Sequence, residues 1–114
     1  MNEVRIVGLM AGDYEDLTID DTEGGVGFTS TKRIPTTGSF LGVPCQNVFC
    51  TIDYNDEDIR FTIDGTVPTA TVGHLLRKGG ILELDNGSDV KNFRAIQVSA
   101  PSTLRITYKY FRRA

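Results

Sequence analysis

The pattern that most constrains the fold is an alternation of apolar and polar side chains in short runs that end at turn-forming residues. In residues 59–63 the alternation has a period of two, which places every second side chain on the same face of a β-strand. Asp64-Gly65 follows, and this pair favours a turn because Gly tolerates a positive φ angle and Asp can accept a hydrogen bond from its own turn. Pro68 predicts that the next segment is a sheet edge or a loop, since proline has no N–H to donate.

The same pattern recurs along the chain, and no segment of ten or more residues repeats with a helical period. Residues 55–58 predict a hairpin turn between two of the candidate strands, and Asn86-Gly87 predicts a second hairpin turn. We therefore predict an all-β fold, a single Ig-like or jelly-roll-like β-sandwich of about seven or eight short strands. The candidate strands lie within residues 13–23 and at residues 26–29, 46–53, 59–63, 81–84, 90–98 and 103–111.

The length of 114 residues fits one domain, and residues 46–114 hold the most regular candidate strands. We predict a compact core there and an extended, loop-rich N-terminal arm in residues 1–45. Within the arm, residues 30–44 contain two Pro and two Gly among Ser and Thr. Loops of this length in compact domains are usually functional or mobile, and we expect this one to reach a neighbouring subunit.

Charge is distributed unevenly along the chain. Residues 1–58 contain eleven acidic and three basic residues, a net charge of −8, whereas residues 59–114 contain four acidic and nine basic residues, a net charge of +5. Two interpretations stay open: the halves interleave and their charges partly cancel, or an acidic face of one copy meets a basic face of another, as in rings and filaments. The candidate subunit-contact residues are Asp13, Asp16, Asp20, Asp21, Glu23, Lys32, Arg33, Phe40, Lys109, Arg112 and Arg113.

The partners that this charge pattern favours are proteins. The overall net charge of −3 argues against strong nucleic-acid binding. The basic, aromatic tail at residues 109–113 suits either an acidic neighbour or a nucleic-acid backbone, and the acidic N-terminal half favours the acidic neighbour. No run of residues approaches the length of a transmembrane segment and no targeting segment is visible, so we expect no membrane partner.

The two cysteines, Cys45 and Cys50, are five positions apart. On one extended strand this offset places them on opposite faces with Cα atoms roughly 17 Å apart, at about 3.3 Å per residue. A disulfide needs a Cα separation below about 7 Å, so we predict two buried or half-buried free thiols and leave an intermolecular bridge open. Neither cysteine nor histidine spacing matches a zinc site.

The sequence contains only weak indications of catalytic or metal-binding groups. Asp53, Asn55 and Glu57 follow the first, third and fifth positions of an EF-hand loop, but Asp58 occupies the sixth position, where the loop needs Gly. A turn with solvated carboxylates is the favoured interpretation, and a loose Ca²⁺ site is the alternative. His74 is the only histidine and is expected to pack or cap locally. With no legible nucleophile arrangement, we predict no catalytic residue, no cofactor and no metal.

Two resemblances bear on fold and function. Residues 62–69, Thr-Ile-Asp-Gly-Thr-Val-Pro-Thr, are similar to the T-x-D-G-[ST]-x-P-T signature of small Ig-like accessory modules in chitobiase-type glycosidases, which are β-sandwiches. Over roughly residues 46–110, the order of the segments at 64–69, 72–76, 79–84, 92–96 and 104–108 resembles small virion proteins of tailed bacteriophages. The second resemblance covers more of the chain.

The phage resemblance implies a non-enzymatic structural protein present in many copies in the virion. It would bind capsid, connector or tail subunits at the head surface (decoration or cement), the neck or collar, or the tail. It would form homo-oligomers, and the virion that contains it would be assembled in the bacterial cytoplasm. The glycosidase resemblance leaves an alternative, a carbohydrate-binding or adhesion module in which Tyr14, Phe40 and Tyr54 would stack on sugars.

Overall fold

The computed structural model describes residues 9–111, which form two antiparallel sheets packed together. The four-stranded sheet has the order β1-β7-β2-β5, and the three-stranded sheet has the order β4-β3-β6. The predicted all-β sandwich of about seven strands is confirmed. Its elements are β1 (Leu9–Ile19), α1 (Ser30–Arg33), β2 (Cys45–Ile52), β3 (Ile59–Thr62), β4 (His74–Leu76), β5 (Ile81–Leu84), α2 (Gly87–Asn92), β6 (Arg94–Gln97) and β7 (Ser102–Phe111).

Strand β7 lies at the centre of the fold because it pairs with β1 on one side and β2 on the other. Its alternation is the most regular in the chain, and Leu104, Ile106, Tyr108 and Tyr110 all point inward and are fully buried. Burying each of these side chains contributes about 1.5–3 kcal/mol. The apolar residues that alternate along this part of the sequence therefore form the buried face of the strand. The same holds for β2, which buries Val48, Cys50 and Ile52.

The strands of the three-stranded sheet have only three or four residues, so they cover part of the inner face of the longer sheet. The segment that follows β1 covers more of this face with aromatic rings. Phe28 stacks on Phe93 with ring centroids 4.3 Å apart, and Phe40 stacks on Tyr110 at 4.9 Å. The loop at residues 30–44, which we expect to reach a neighbouring subunit, carries α1, and its Phe40 packs on the core of its own chain.

Strand β1 extends the sandwich into the region that the sequence analysis assigned to an arm. It forms eleven residues of strand along β7, and its last residue, Ile19, is buried. Residues 1–8, where the predicted arm begins, lie outside the described residues. A predicted strand at residues 26–29 is wrong, because only Val26 pairs there, in an isolated bridge with Ala95.

The two predicted hairpins are also wrong. Strands β2 and β3 belong to different sheets, so residues 53–58 cross between the sheets. Asp56 holds this connecting segment to β7, because its carboxylate accepts a hydrogen bond from the Thr103 N–H at 3.0 Å. Asn86 is not part of a hairpin but the N-cap of α2, and its side chain accepts a hydrogen bond from the Asp89 N–H at 2.9 Å.

Candidate interaction surfaces

Several predicted contact residues already have partners within their own chain. Lys32 Nζ lies 2.9 Å from the Asp13 carboxylate, and this hydrogen bond is the main reason why the pKa of Asp13 is below its usual value. Arg105 joins Asp16 at 3.2 Å and Asp53 at 3.0 Å, so charges from the two halves of the sequence partly cancel here. These pairs are exposed, and each contributes only about 0–1 kcal/mol to stability.

The acidic segment, residues 20–23, follows the end of β1. The Asp20 carboxylate accepts a hydrogen bond from the Thr22 N–H at 2.9 Å, and hydrogen bonds from Thr22 lower the pKa of Asp20. Asp21 and Glu23 are exposed, and neither side chain forms a hydrogen bond or ion pair with any residue from 9 to 111. The segment therefore presents two carboxylates that remain available to a partner.

A basic cleft of about 410 Å³ lies between the end of the α1 loop and α2. Arg33 and Lys91 supply its two cationic side chains, and none of the described residues that line it carries a carboxylate. Arg33 is held by a hydrogen bond from its Nε to the Phe28 carbonyl at 3.4 Å. The sequence analysis selected Arg33 but missed Lys91, because residues 90–98 were interpreted as a strand and no helix was expected there.

The acidic segment and the basic cleft lie at opposite ends of β7. The acidic segment follows Ile19, which pairs with Ser102 at the start of β7. The cleft is lined by Cys45, which pairs with Tyr110 near the other end of β7. Eight residues of strand separate the two positions, a distance of about 27 Å at about 3.4 Å per residue.

The outer face of the four-stranded sheet brings exposed apolar side chains together. Its register aligns Tyr14, Thr107, Phe49 and Glu83 across all four strands, and Ile81 lies in the next row. Tyr14 is 52% exposed, Phe49 38% and Ile81 65%. Sequence reasoning missed this surface, because neighbours across strands are set by pairing and register. One feature of the sequence could have indicated it: Phe49 is an aromatic residue on the otherwise polar face of an alternating strand.

The carboxylates of residues 53–58 have separate structural roles. Asp53 forms an ion pair with Arg105, and the Asp56 carboxylate accepts a hydrogen bond from β7. The Asp58 carboxylate accepts a hydrogen bond from the Lys78 N–H at 2.9 Å. Within the described part of the chain, no three His, Cys, Asp or Glu side chains are grouped so that they could hold a metal ion. The turn thus fastens neighbouring segments to the end of the sandwich.

The cysteines lie on the same face of β2 and not on opposite faces. A β-bulge between Cys45 and Asn47 adds one residue, so Cys45 sits opposite the inward-facing Tyr110. Both thiols are free and buried, as predicted. Burial raises the pKa of Cys45, and burial with a smaller contribution from Cys45 raises the pKa of Cys50 to about 12.

The remaining predicted residues are dispersed. The ring of His74 contacts Phe61 with centroids 5.3 Å apart, which agrees with local packing. Lys109 Nζ lies 4.0 Å from the Glu83 carboxylate and 5.9 Å from the centre of the Phe49 ring. Because Phe40 stacks inside the chain, only Tyr14 and Tyr54 of the proposed sugar-stacking aromatics remain on the surface. Arg112 and Arg113 lie outside the described residues.

Comparisons with protein-family models, curated proteins and solved structures found no match. No helix within residues 9–111 is both long enough and apolar enough to cross a bilayer.

The described surfaces offer three kinds of contact. The acidic segment can attract cationic groups and the basic cleft can accept anionic ones. The outer face of the four-stranded sheet offers exposed apolar side chains beside charges that are paired within the chain.

Proposed function

We propose that this chain is a non-enzymatic structural protein of a tailed bacteriophage particle. It is present in many copies in the virion and binds other virion subunits, with positions at the head surface, the neck or collar, or the tail as the candidates. The proposal is supported by the resemblance of residues 46–110 to phage virion proteins and by an all-β sandwich that leaves charged and apolar surfaces available.

One observation carries the proposal: oppositely charged surfaces lie at opposite ends of the longest strands. Asp21 and Glu23 are available at one end, and Arg33 and Lys91 line the cleft at the other. A subunit with complementary groups at its two ends can join further copies, or similarly charged neighbours, in a head-to-tail manner. Charge complementarity of this kind contributes to recognition and orientation more than to raw affinity.

The proposal is tested on particles produced from the genome that encodes the chain. Mass spectrometry of purified particles should detect it in many copies, in a fixed ratio to the major capsid protein. Particles made after its gene is deleted should lack it and should be less stable or fail to assemble, and expression of the gene in trans should restore them. Absence of the chain from purified, infectious particles would contradict the proposal.

A further inference from the structure

We infer that the outer face of the four-stranded sheet is the surface through which two copies of this chain pack against each other. The inference deepens the multi-copy role proposed above and rests on it for its biological setting. It does not use the charged ends, so it is argued from a separate set of residues on β1, β2, β5 and β7.

Apolar and threonine side chains lie between the charged pairs of this face. Phe49 lies opposite Thr107 on β7, and Tyr14 flanks Thr107 on the other side. One row away, Thr51 separates Arg105 from Ile81. The aromatic, aliphatic and threonine side chains of these rows can be desolvated at low cost, and aromatic side chains are enriched in the cores of interfaces.

The charges on the same face are neutralised within the chain. Arg105 binds Asp16 and Asp53, and Lys109 lies 4.0 Å from Glu83. These five charged residues leave a net charge of only −1 on the face. A two-fold axis brings like groups of the two copies close together, so a strongly charged face would repel its own copy. This face can meet itself, whereas an acidic or basic partner would find little complementary charge on it.

The flat area of the face approaches what such a contact needs. Its four strands have 11, 10, 8 and 4 residues. At a strand spacing of about 4.8 Å and a rise of about 3.4 Å per residue, the flat footprint is about 500 Å² per copy before side-chain relief is added. Two copies together would cover about 1,000 Å², close to the lower end of the range of about 1,200–2,000 Å² for stable interfaces.

Pairing through the open edge of β1 is less favourable for a second copy. The middle of this strand carries Asp13, Glu15 and Asp16. Antiparallel pairing of two identical edges would bring these carboxylates close to one another, and charged edge strands oppose such pairing. Packing through the sheet face keeps Asp16 at the rim, bound to Arg105, and leaves Glu15 pointing inward.

The test is sedimentation velocity of the full chain over a wide concentration range at high salt, which screens contacts between the charged ends. We expect a monomer–dimer equilibrium. Phe49→Thr and Ile81→Thr should each weaken the dimer about tenfold or more, because both remove an apolar anchor from the contact. Threonine is β-branched and, like phenylalanine and isoleucine, favours strands, so the sheet should remain intact by circular dichroism.

The matched control is Leu75→Thr. Leu75 is 39% exposed, like Phe49, but it lies on β4 in the other sheet, so its replacement should leave the dimer unchanged. A monomeric wild-type chain at every concentration would overturn the inference, as would a dimer that Leu75→Thr weakens as much as Phe49→Thr. If Phe49→Thr fails to fold, Ile81→Thr decides, since this side chain is 65% exposed and contributes little packing.

Failure of the dimer interface and failure of the virion role give different results. A chain found in particles but monomeric in solution, or bound there only to a different subunit through this face, would overturn the inference and leave the virion role standing. A dimer that weakens as expected, in a chain absent from particles, would support the interface and remove the virion role.

Discussion

At the scale of single residues, the most informative side chain is Glu15, a carboxylate that points inward from an edge strand. It lies opposite Ile106 and accepts hydrogen bonds from the Tyr108 hydroxyl at 2.7 Å and the Thr29 hydroxyl at 2.6 Å. Burial is the main reason why the pKa of Tyr108 is raised, so this hydroxyl stays protonated and donates. The carboxylate thereby ties β1 to β7 and to the segment before α1.

Replacing Tyr108 by phenylalanine tests this network. Tyr108→Phe removes one of two donors to a half-buried carboxylate, and we expect the free energy of unfolding to fall by about 1.5–3 kcal/mol. Urea denaturation gives the value. Tyr14→Phe is the control, because the Tyr14 hydroxyl binds Asp16 on the exposed outer face, and we expect a change below about 1 kcal/mol. Equal losses in the two variants would contradict the role assigned to Glu15.

The cysteines allow a second prediction at this scale. Cys45 and Cys50 are buried, and their raised pKa values keep the thiols protonated near neutral pH. We expect neither to react with a thiol reagent in the native chain and both to react after unfolding in denaturant. No intermolecular disulfide should form in folded protein. Rapid labelling of Cys50 in native conditions would show that β2 is not packed as described.

At the scale of elements, β-bulges determine which side chains face the core. One bulge at the start of β2 returns Cys45 to the inner face, and another in β1 lies between Ala11 and Asp13. Gly12, the extra residue in β1, sits where an added Cβ would lie 2.7 Å from the Tyr110 ring and 2.8 Å from the Phe40 ring. The stacked pair of rings therefore requires glycine at this position.

Gly12→Ala is expected to destabilise the chain by about 1–3 kcal/mol, the usual cost of overpacking a filled site. Thermal or urea unfolding measures the loss. Gly12→Ala should cost less stability in a Phe40→Leu background than in the wild-type chain, because the smaller side chain relieves one of the two clashes. A neutral Gly12→Ala variant would mean that the rings do not pack against β1 at this point.

The sequence predicted elements better than their pairing. Strands β2 and β7 could be recognised because inner positions alternate along β7 and along residues 48–52 of β2. Asp64-Gly65 forms the expected turn, with Gly65 at a φ angle of 89°. The partner of each strand could not be predicted, because an apolar face fits either sheet. Helix α2 has six residues, too few for a helical period to be visible, and the bulge at residue 46 hid the common face of the cysteines.

The candidate surfaces were predictable to a similar extent. The acidic segment could be found from composition, since Asp21 and Glu23 lie in a run of acidic residues and remain exposed. Asp13, Asp16 and Lys32 were selected on the same ground. The fold, however, pairs Asp13 with Lys32 and Asp16 with Arg105 within the chain. The basic cleft joins residues far apart in sequence, so no local pattern could bring Arg33 and Lys91 together.

At the scale of the whole molecule, the charged ends provide a prediction of their own. Arg33→Glu with Lys91→Glu makes the cleft acidic, and Asp21→Lys with Glu23→Lys makes the acidic segment basic. At low salt, head-to-tail association of each double variant alone should be weaker by up to roughly thirtyfold, because two surface pairs contribute up to about 1 kcal/mol each. A mixture of the two should regain it, because the acidic cleft of one variant meets the basic segment of the other.

Sedimentation velocity of the separate and mixed variants gives the comparison, and added salt should abolish the recovered association. Association beyond the face-to-face dimer that persists in each double variant alone would exclude the charged ends as the contact. Association lost in both variants and not regained in the mixture would mean that the two ends do not bind each other.

The most direct measurement of the virion role is a cryo-electron microscopy reconstruction of particles from the genome that encodes this chain. The account predicts density for a sandwich of four and three strands that repeats around a symmetry axis of the head, neck or tail, in contact with other virion subunits. A complete reconstruction of intact particles in which every repeated density is explained by other proteins would contradict it.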